Sequence, residues 1–512
     1  MLIKTYGAAV QGINAVVITI EVHLTQGYHF CLVGLPDNAV RESNERIRSA
    51  LTVNGYHIPH KQVTINMAPA DIKKEGAAYD LPLAIGILAA DEQIACADLS
   101  KYLIMGELSL DGTLQAIRGA LPMALQAREA GFQGIILPEA NAREAAVVEG
   151  LQVYGMNNIP EVVRFLNGTE VREPLHLDMQ TVFNRPSELT EVDFADVRGQ
   201  ENVKRALEVA AAGGHNLLMI GPPGAGKSMM AKRLPGILPP LTLEEALETT
   251  KIHSVAGTID KGVSLITRRP FRSPHHTVSD VALVGGGINP MPGEISLAHN
   301  GVLFLDELPE YKRSVLEVMR QPLEDRKICI SRAKMSVEYP AGFMLVAAMN
   351  PCPCGHYNDP THACTCGPGM VHKYLSRISG PLLDRIDIQV EIIPVPFDKL
   401  SNTQEAERSA AIRERVVRAR QIQAERFKDV PGIHCNAQMT SKMMRRYCAV
   451  DEAGNRLLSY AIDKLGLSAR AYDRILKVAR TIADLEGAPA ITVKHLSEAI
   501  GYRNLDRSGW AG

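Results

Sequence analysis

The stretch of sequence that decides the fold reads Leu217-Leu218-Met219-Ile220-Gly221-Pro222-Pro223-Gly224-Ala225-Gly226-Lys227-Ser228. Its first four residues are apolar and predict a strand that is buried on both faces of a parallel sheet. The remaining residues match the phosphate-loop pattern in full, and a helical pattern follows them. Lys227 would reach the β- and γ-phosphates, and Ser228 would ligate Mg²⁺. Residues 221–228 therefore predict a binding site for ATP and Mg²⁺.

Two more apolar runs, Val302–Leu305 and Phe343–Ala347, extend this interpretation. Asp306 and Glu307 follow the first run directly. An aspartate at the carboxyl end of a parallel strand is suited to hold Mg²⁺, and the adjacent glutamate can polarise the attacking water. Asn350 follows the second run and would sense the γ-phosphate. These patterns predict an ATP-hydrolysing α/β domain.

The composition limits the possible functions. The chain has 512 residues, which suggests roughly two to four domains. Lys and Arg number 55 and Asp and Glu 57, and the net charge of −2 excludes a protein that coats nucleic acid through overall positive charge. No stretch approaches the roughly 20 apolar residues of a membrane span, and nine cysteines do not make a secreted disulfide framework. We therefore expect a soluble, cytoplasmic protein.

The sequence pattern divides the chain into four parts. Residues 1–168 mix helical patterns with strands of period two, as in Val17–Leu24, and predict an α+β domain. Residues 169–192 are polar, contain two prolines and predict a linker. Residues 193–399 contain the phosphate loop and the buried strands, whereas residues 400–512 show helical patterns alone.

Three further segments resemble the magnesium-chelatase-like branch of the AAA+ ATPases: Pro270–Thr277, Gly293–Glu307 and Ile378–Asp387. The resemblance covers nearly the whole chain and is greatest to the bacterial ComM/YifB family. It implies an AAA+ core with a helical lid that assembles as a hexameric ring. It also implies a motor that acts on single-stranded or branched DNA, as a branch-migration helicase in recombination and transformation does.

The same resemblance adds two arginines to the catalytic residues. It implies that Arg385 is the arginine finger that enters a neighbouring subunit's site, with Arg377 as the alternative finger. Arg470, in Ser468-Ala469-Arg470, resembles the sensor-2 arginine of the helical lid. Without the resemblance, each arginine would be interpreted as a solvated or salt-bridged surface residue.

Residues 1–168 resemble the proteolytic domain of Lon, which shares its fold with the ribosomal protein S5 superfamily. The similarity includes Lys74–Asp80. An active Lon-type site pairs a serine nucleophile with a lysine base, because a hydroxyl needs an activating neighbour. This chain has Ala78 at the serine position and Met123 at the lysine position. We therefore predict a non-proteolytic scaffold or a DNA-engagement module.

Two basic segments without acidic residues are candidates for contacts to a DNA backbone. Arg326–Lys334 precedes the apolar run Phe343–Ala347, and it resembles the hairpin that related ring helicases project into their pore. Lys261–His276 occupies the position of another insertion of the family. Basic groups at a pore favour phosphate contacts that do not depend on base sequence. The alternative is that both segments are solvated basic hairpins.

Four cysteines lie close together as Cys352-Pro353-Cys354 and Cys364-Thr365-Cys366. Four thiolates can close a tetrahedral structural Zn²⁺ site, with His356 and His362 as further donors. The spacing departs from the common Cys-x-x-Cys arrangement, so reduced free thiols and a redox switch are the alternatives.

Two rival functions stay open on the sequence. A magnesium-chelatase-like remodeller would use the same motor on a protein partner, and an ATP-dependent protease would degrade its substrate. Ala78 and Met123 disfavour the protease. Chelatase motor subunits usually lack a Lon-like N-terminal domain, and its presence here favours the DNA motor.

Overall fold

The computed structural model describes residues 2–95, 98–184, 192–260, 262–287, 289–332, 335–357, 362–394 and 406–503. The strands, in chain order, are β1 (Leu2–Gln11), β2 (Asn14–Thr25), β3 (Phe30–Val33), β4 (Gln62–Ala68), β5 (Tyr102–Ile104), β6 (Glu107–Leu108), β7 (Leu114–Gln115), β8 (Gly134–Pro138), β9 (Gln152–Met156), β10 (Leu217–Ile220), β11 (Phe271–Arg272), β12 (Gly285–Gly286), β13 (Met291–Pro292), β14 (Val302–Leu305), β15 (Lys327–Arg332), β16 (Met335–Pro340), β17 (Met344–Met349) and β18 (Ile388–Glu391).

The α-helices, in chain order, are α1 (Asn38–Arg41), α2 (Ser43–Val53), α3 (Asp80–Ala90), α4 (Ala120–Glu129), α5 (Glu139–Ala145), α6 (Ile159–Leu166), α7 (Met179–Asn184), α8 (Glu201–Gly213), α9 (Lys227–Arg233), α10 (Leu243–Ala256), α11 (Asp280–Val284), α12 (Glu294–Leu297), α13 (Arg313–Val318), α14 (Arg320–Asp325), α15 (Pro368–Leu375), α16 (Gly380–Leu383), α17 (Ser409–Phe427), α18 (Ser441–Tyr447), α19 (Glu452–Leu465), α20 (Ala469–Leu485) and α21 (Val493–Gly501). None of these described helices is long and apolar enough to cross a membrane.

The N-terminal domain is built on a four-stranded sheet in the order β1-β2-β4-β3. In β2, Ile18, Ile20 and Val22 are buried while the residues between them are partly exposed, because successive side chains point to opposite faces of a strand. Helix α3 is buried along its whole length and packs on β1 and β2. A parallel sheet of β5, β8 and β9 completes the domain. The predicted α+β fold is confirmed.

The central sheet of the second domain has the order β11-β14-β17-β10-β18, and its strand pairs are parallel. Every residue of β10, β14 and β17 is buried, as the continuous apolar runs predict. Ile220 lies opposite Met349, and Leu305 lies opposite Ala347. The loops that follow these strands therefore meet at one edge of the sheet, where open parallel sheets bind ligands.

Strand β17 differs slightly from its prediction. It begins at Met344 rather than Phe343 and continues to Met349. The N–H of Phe343 donates to the carbonyl of Ala341, and this turn removes Phe343 from the strand. The strand ends at Met349, and Asn350 follows it directly.

The C-terminal helices share a hydrophobic core with one face of the central sheet. Helix α17 buries three members of an apolar stripe, which are Ile412, Val416 and Ala419. Ile422, the next apolar residue at helical spacing, is exposed, and Gln423 takes the buried position. An α-helix has about 3.6 residues per turn, so positions 412, 416, 419 and 423, which are four, three and four residues apart, lie on one face of the helix. Hydrogen bonds to the Ala212 carbonyl and from the Asn436 N–H satisfy the buried Gln423 amide.

A buried carboxylate ties the C-terminal helices to the amino-terminal edge of the central sheet. Asp387 accepts a hydrogen bond from the N–H of Asn216 at 3.1 Å and pairs with Arg474 of α20 at 2.7 Å. Buried His215 lies 3.3 Å from the same carboxylate. Burial alone would raise the pKa of Asp387, but Arg474 and His215 hold it well below its usual value. The helices are thereby attached where β10 and β18 begin.

The predicted linker, residues 169–192, contains helix α7, and residues 185–191 lie outside the described part of the chain. Val182 and Phe183 of α7 pack on a small core that includes Val147 of the N-terminal domain and Leu241 of the second domain. The linker segment therefore packs against both domains.

Candidate active site

The phosphate loop has a backbone conformation that glycine favours. Gly224 and Gly226 have φ angles of 77° and 88°, in the left-handed region where a Cβ atom causes strain. At Gly221, a Cβ atom would lie 2.6 Å from the carbonyl oxygen of Ile392. The predicted loop therefore forms a tight connection between β10 and α9.

Lys227 points into this loop. Its Nζ atom donates to the carbonyl oxygens of Gly221 at 2.7 Å and Pro222 at 2.9 Å, and to Oδ1 of Asn350 at 3.0 Å. Burial lowers the pKa of Lys227, and the Asp306 carboxylate opposes this shift. Three neutral oxygens thus surround the ammonium group, and phosphate oxygens are stronger partners for the same cation. The residues present fit the phosphates of ATP.

Ser228 and Asp306 form the second half of the site. The Ser228 hydroxyl donates to Oδ2 of Asp306 at 2.5 Å. A hydroxyl and a carboxylate are the oxygen donors that Mg²⁺ prefers, so this pair fits the predicted metal. The next residue, Glu307, has a φ of 53° and a side chain that is 57% exposed. Its carboxylate is open to solvent, which fits the predicted role of orienting a water molecule.

Two side chains beside Glu307 are absent from the sequence-based prediction. The Nδ1 atom of His276 lies 3.4 Å from the Glu307 carboxylate. The ring of Tyr311 meets the His276 ring edge-on at 6.4 Å, and its O–H donates to the Pro274 carbonyl at 2.6 Å. Tyr311 thereby holds the segment that carries His276. No periodic pattern surrounds this histidine, and its partner is 31 residues away in sequence.

Arg385 and Arg470 lie at the opposite edge of the sheet from the phosphate loop. The Arg385 carbonyl accepts a hydrogen bond from the Asn216 side chain at 3.0 Å, beside the start of β10. Arg470 lies 3.8 Å from Asp384. Strand β10 has four residues, about 13 Å at roughly 3.3 Å per residue. Neither arginine lies at the phosphate loop of its own chain.

The Arg385 side chain is folded against its own subunit. It pairs with Glu324 at 2.5 Å and donates to the Pro381 carbonyl at 2.6 Å. Its Nε atom is buried and has no hydrogen-bond partner among the described residues. Arg377 is half-exposed and pairs with Glu310 at 2.9 Å, three residues beyond Glu307. The roles of Arg385 and Arg470 stay predictions, because one chain does not include a neighbour's site.

Three family models match the chain. Residues 193–400 match "Magnesium chelatase, subunit ChlI", residues 20–141 match "Subunit ChlI of Mg-chelatase", and residues 406–503 match "Magnesium chelatase, subunit ChlI C-terminal". Competence protein ComM of Haemophilus influenzae is 47% identical over 506 residues, which cover 98% of this chain and 97% of that protein. The chain belongs to the ComM/YifB family.

Two other relatives agree with this assignment. The uncharacterized protein YifB of Salmonella typhimurium is 46% identical over 504 residues, 98% of this chain and 96% of that protein. Lon protease 2 of Bacillus subtilis is 31% identical over 159 residues, 28% of this chain and 27% of the protease. The ComM/YifB chain is thus an AAA+ ATPase that uses ATP and Mg²⁺ and has a Lon-like N-terminal domain. AAA+ membership also favours oligomeric assembly.

A cavity of about 770 Å³ lies between the N-terminal domain and the hairpin strand β16 of this ComM/YifB chain. Ala78 and Met123 both line it, together with Tyr339 of β16 in the second domain. A methyl group and a thioether cannot act as nucleophile and base. The neighbouring Tyr79 donates its hydroxyl to the Ala8 carbonyl at 3.1 Å. The cavity therefore brings the two predicted positions together, and neither side chain there can supply Ser/Lys chemistry.

The basic segment Arg326–Lys334 lies on a hairpin formed by β15 and β16, and its location at a pore stays a prediction. Lys327 and Arg332 are exposed, whereas Ile328 is buried against the motor core. Lys327 pairs with Glu338 at 3.0 Å, so the partner strand brings an acid to the segment that the sequence shows as free of acids. Lys334 lies outside the described residues. Arg332 thus remains the exposed cation near the described end of the hairpin.

In the second basic segment, Lys261–His276, fewer cations are left without an acidic partner than the sequence alone indicates. Arg269 pairs with Glu245 at 2.9 Å, and Arg272 pairs with Glu294 at 2.7 Å. Both arginines attach the segment to helices of the ATPase domain, and Lys261 lies outside the described residues. Two of the cations on which the prediction of DNA contacts rested, Arg269 and Arg272, are therefore paired with carboxylates of the same chain.

The four predicted cysteines converge in the structure. Their sulfur atoms all lie within 4.8 Å of one another, and Cys352 is 3.3 Å from Cys354 and 3.7 Å from Cys364. Four sulfurs at about 2.3 Å from a tetrahedral zinc would be separated by about 3.8 Å, so the cluster fits Zn²⁺. A backbone hydrogen bond from His356 lowers the pKa of Cys354 to about 5, whereas burial and hydrogen bonds with the neighbouring thiols raise the pKa of Cys364 and of Cys366. The thiolate that zinc binds is therefore favoured at Cys354.

The cysteine loop packs on the phosphate loop. Gly355 has a φ of 87°, and a Cβ atom there would lie 2.4 Å from Cδ of Pro223. The loop starts two residues after Asn350, and Cys352 is buried. The cysteine cluster is therefore linked to the nucleotide site in two ways. It follows Asn350 closely in sequence, and Gly355 packs directly on Pro223 of the phosphate loop.

Proposed function

We propose that this ComM/YifB chain is an ATP-driven motor that acts on DNA, as a hexameric branch-migration helicase in recombination and transformation. The hairpin of β15 and β16 carries the proposal. It connects the segment after Asp306 with the strand that precedes Asn350, so both ends of the hairpin lead to the nucleotide site. Its exposed Arg332 suits phosphate contacts that are independent of sequence. The relative ComM is named a competence protein, which agrees with a role in transformation.

Each group of the site has a role in this proposal. Bound ATP with Mg²⁺ supplies the phosphoanhydride bond that is cleaved. Lys227 binds the β- and γ-phosphates, and Ser228 and Asp306 hold the metal. Glu307 orients the attacking water and accepts its proton, while Asn350 positions the γ-phosphate.

Arg385 and Arg470 act on the site of a neighbouring subunit in this proposal. In a head-to-tail ring, the edge that carries these arginines meets the next subunit's phosphate loop. Arg385 would then exchange Glu324 for the γ-phosphate, where a guanidinium stabilises the charge of the transition state. The location of both arginines away from their own phosphate loop supports this arrangement.

We assign residues 1–168 to the Lon-like domain, 169–192 to the linker, 193–399 to the AAA+ core and 400–512 to the helical lid. The Lon-like domain serves as a scaffold or a DNA-engagement module. Support comes from its cavity, which lacks the Ser/Lys pair and borders the hairpin strand β16.

The cysteine cluster serves as a structural zinc site in this proposal. Metal analysis of untagged protein should find one zinc per chain, and a Cys354→Ser variant should lose it. Protein purified without chelators that contains no stoichiometric zinc would contradict this part of the proposal and favour free thiols or a redox switch.

ATP hydrolysis with and without forked DNA, together with migration of a four-way junction, tests the motor function. We expect DNA to stimulate hydrolysis and Lys227→Ala to abolish migration. Arg332→Ala should weaken the stimulation while basal ATP binding persists, and Arg128→Ala, an exposed cation of the N-terminal domain, is the matched control. If DNA neither binds nor stimulates hydrolysis, the proposal fails, and remodelling of a protein partner by the same motor becomes the better conclusion.

A further inference from the structure

A small cavity at the amino-terminal edge of the central sheet is lined by positive charge. Its volume is about 80 Å³, several times the roughly 10–15 Å³ that one water molecule needs. Residues that precede β10, β14 and β17 contribute to its wall, and α17 and the loop after it close the other side. We call it the basic pocket, and its ionisable lining groups are Glu245, Arg269, Arg326, Arg420, His434 and Cys435.

One of the three arginines is already neutralised. Arg269 pairs with Glu245 at 2.9 Å and donates to the carbonyl oxygens of Pro239 and Asn300, each at 2.7 Å. Glu245 also accepts a hydrogen bond from the N–H of Thr242 at 2.9 Å. Glu245 is the sole carboxylate among the described residues that line the pocket, and both of its oxygens are engaged in these contacts.

The other two arginines form no ion pair with a carboxylate among the described residues. Within the described part of the chain, the Arg326 side chain makes neither a hydrogen bond nor an ion pair. Arg420 donates to the carbonyl oxygens of His434 at 3.4 Å and Ala211 at 3.2 Å, and its Nε atom is buried without a partner. Burial lowers the pKa of Arg326, and the like charge of Arg474 adds to this shift. Desolvated cations without a counter-ion are costly.

We propose that the basic pocket binds a small oxyanion of the phosphate class, either inorganic phosphate or a phosphomonoester. A guanidinium group binds phosphate oxygens through parallel N–H···O bonds, and a dianion would compensate both Arg326 and Arg420. The volume suits one such group and is far too small for a nucleic-acid strand, which separates this site from DNA contacts on the hairpin. The proposal does not depend on the DNA-motor function.

The position of the pocket suggests what the anion would do. Arg326 directly precedes hairpin strand β15, and its carbonyl accepts a hydrogen bond from the N–H of Ala341 just after β16. Arg420 belongs to helix α17. A bound anion would therefore connect the base of the hairpin to the C-terminal helices.

Isothermal titration of full-length Lys227→Ala protein with inorganic phosphate tests the proposal, because this variant weakens phosphate binding at the nucleotide site. Ionic strength is held constant with potassium chloride. We expect one saturable site per chain and a Kd that rises at least tenfold when Arg326→Gln is added. Arg413→Gln, on the exposed side of α17, should leave the Kd unchanged. Titration with ribose 5-phosphate then distinguishes a monoester from free phosphate as the preferred ligand.

Failure to saturate with either titrant, or equal Kd values with and without Arg326→Gln, would overturn the proposal. Circular dichroism checks that the variants fold. A second variant, Arg420→Lys, keeps the charge but removes the two-pronged guanidinium, and it should weaken binding several-fold. Unchanged affinity in that variant would likewise count against the site.

Discussion

The two edges of the central sheet place charged groups in different ways. At the carboxyl edge, the charged and polar groups contact one another directly. The Ser228 hydroxyl donates to Asp306 at 2.5 Å, and Lys227 donates to the Gly221 carbonyl at 2.7 Å and to the Asn350 side chain at 3.0 Å. At the amino edge, Arg385 pairs with a carboxylate of its own subunit, and Arg470 is 61% exposed. One chain thus assembles the predicted nucleotide-binding groups but leaves its candidate trans-acting arginines elsewhere. The difference predicts that nucleotide binding is a property of the chain and hydrolysis a property of the assembly.

Lys227→Ala should have the largest effect. Loss of the cation that faces the phosphates should reduce ATP hydrolysis below detection and weaken ATP binding. Lys232→Ala, an exposed lysine on the same helix, should retain both. Nucleotide-binding titrations and steady-state hydrolysis measure the two effects. Normal hydrolysis by a folded Lys227→Ala protein would mean that the carboxyl edge is not the active site.

Arg385→Ala should come next, with a loss of about 10³-fold in kcat while ATP binding is retained. Mixing Arg385→Ala with Lys227→Ala subunits should restore part of the hydrolysis, because some interfaces then combine an intact loop with an intact arginine. No recovery in mixed rings would argue against action on a neighbour. A larger loss for Arg377→Ala would identify that residue as the finger instead.

Gly355→Ala tests whether the cysteine loop supports the carboxyl edge. The new Cβ would meet Pro223 and strain a left-handed backbone, so we expect the Kd for ATP to rise about tenfold, or about 1.4 kcal/mol. Gly367→Ala is the matched control, since a Cβ there meets nothing within 4 Å. Equal affinities of the two variants for ATP would show that the contact between Gly355 and Pro223 does not affect ATP binding.

His276→Ala should have the smallest effect. A partly exposed contact of this kind contributes up to about 1 kcal/mol, so kcat should fall about threefold to fivefold with KM unchanged. His275→Ala removes a neighbouring ring that is hydrogen-bonded to Thr277 instead, and it should leave kcat unchanged. A change in KM rather than kcat for His276→Ala would assign this histidine to binding instead of to positioning Glu307.

Much of the fold of the ATPase domain could be predicted from local patterns. The apolar runs before the phosphate loop and before Asp306 form buried parallel strands as predicted. The buried face of helix α17 was harder to predict near its end, because polar Gln423 rather than apolar Ile422 takes the buried position. Gln423 is accepted there since backbone partners from other segments satisfy its amide.

In the candidate site too, features within one segment could be predicted, whereas contacts between distant segments could not. Phosphate-loop residues are adjacent in sequence, and their spacing alone indicates the ligand. His276 and Glu307 are brought together by a loop that Tyr311 holds in place, and no local signal predicts this contact. The apparent positive charge of residues 261–276 is likewise reduced by Glu245 and Glu294, which come from distant helices.

The sequence by itself determined the phosphate loop, the carboxylates after β14, the four-cysteine set and the identities of Ala78 and Met123, on which the prediction of a non-proteolytic domain depends. Each depends on which residues are present and how they are spaced along the chain. The tertiary structure alone decided that Arg385 lies away from its own nucleotide site and that Gly355 touches Pro223. It also brought Arg326 and Arg420 together in one pocket. These contacts join residues far apart in sequence, and only the packing of the folded chain determines which charges meet a partner.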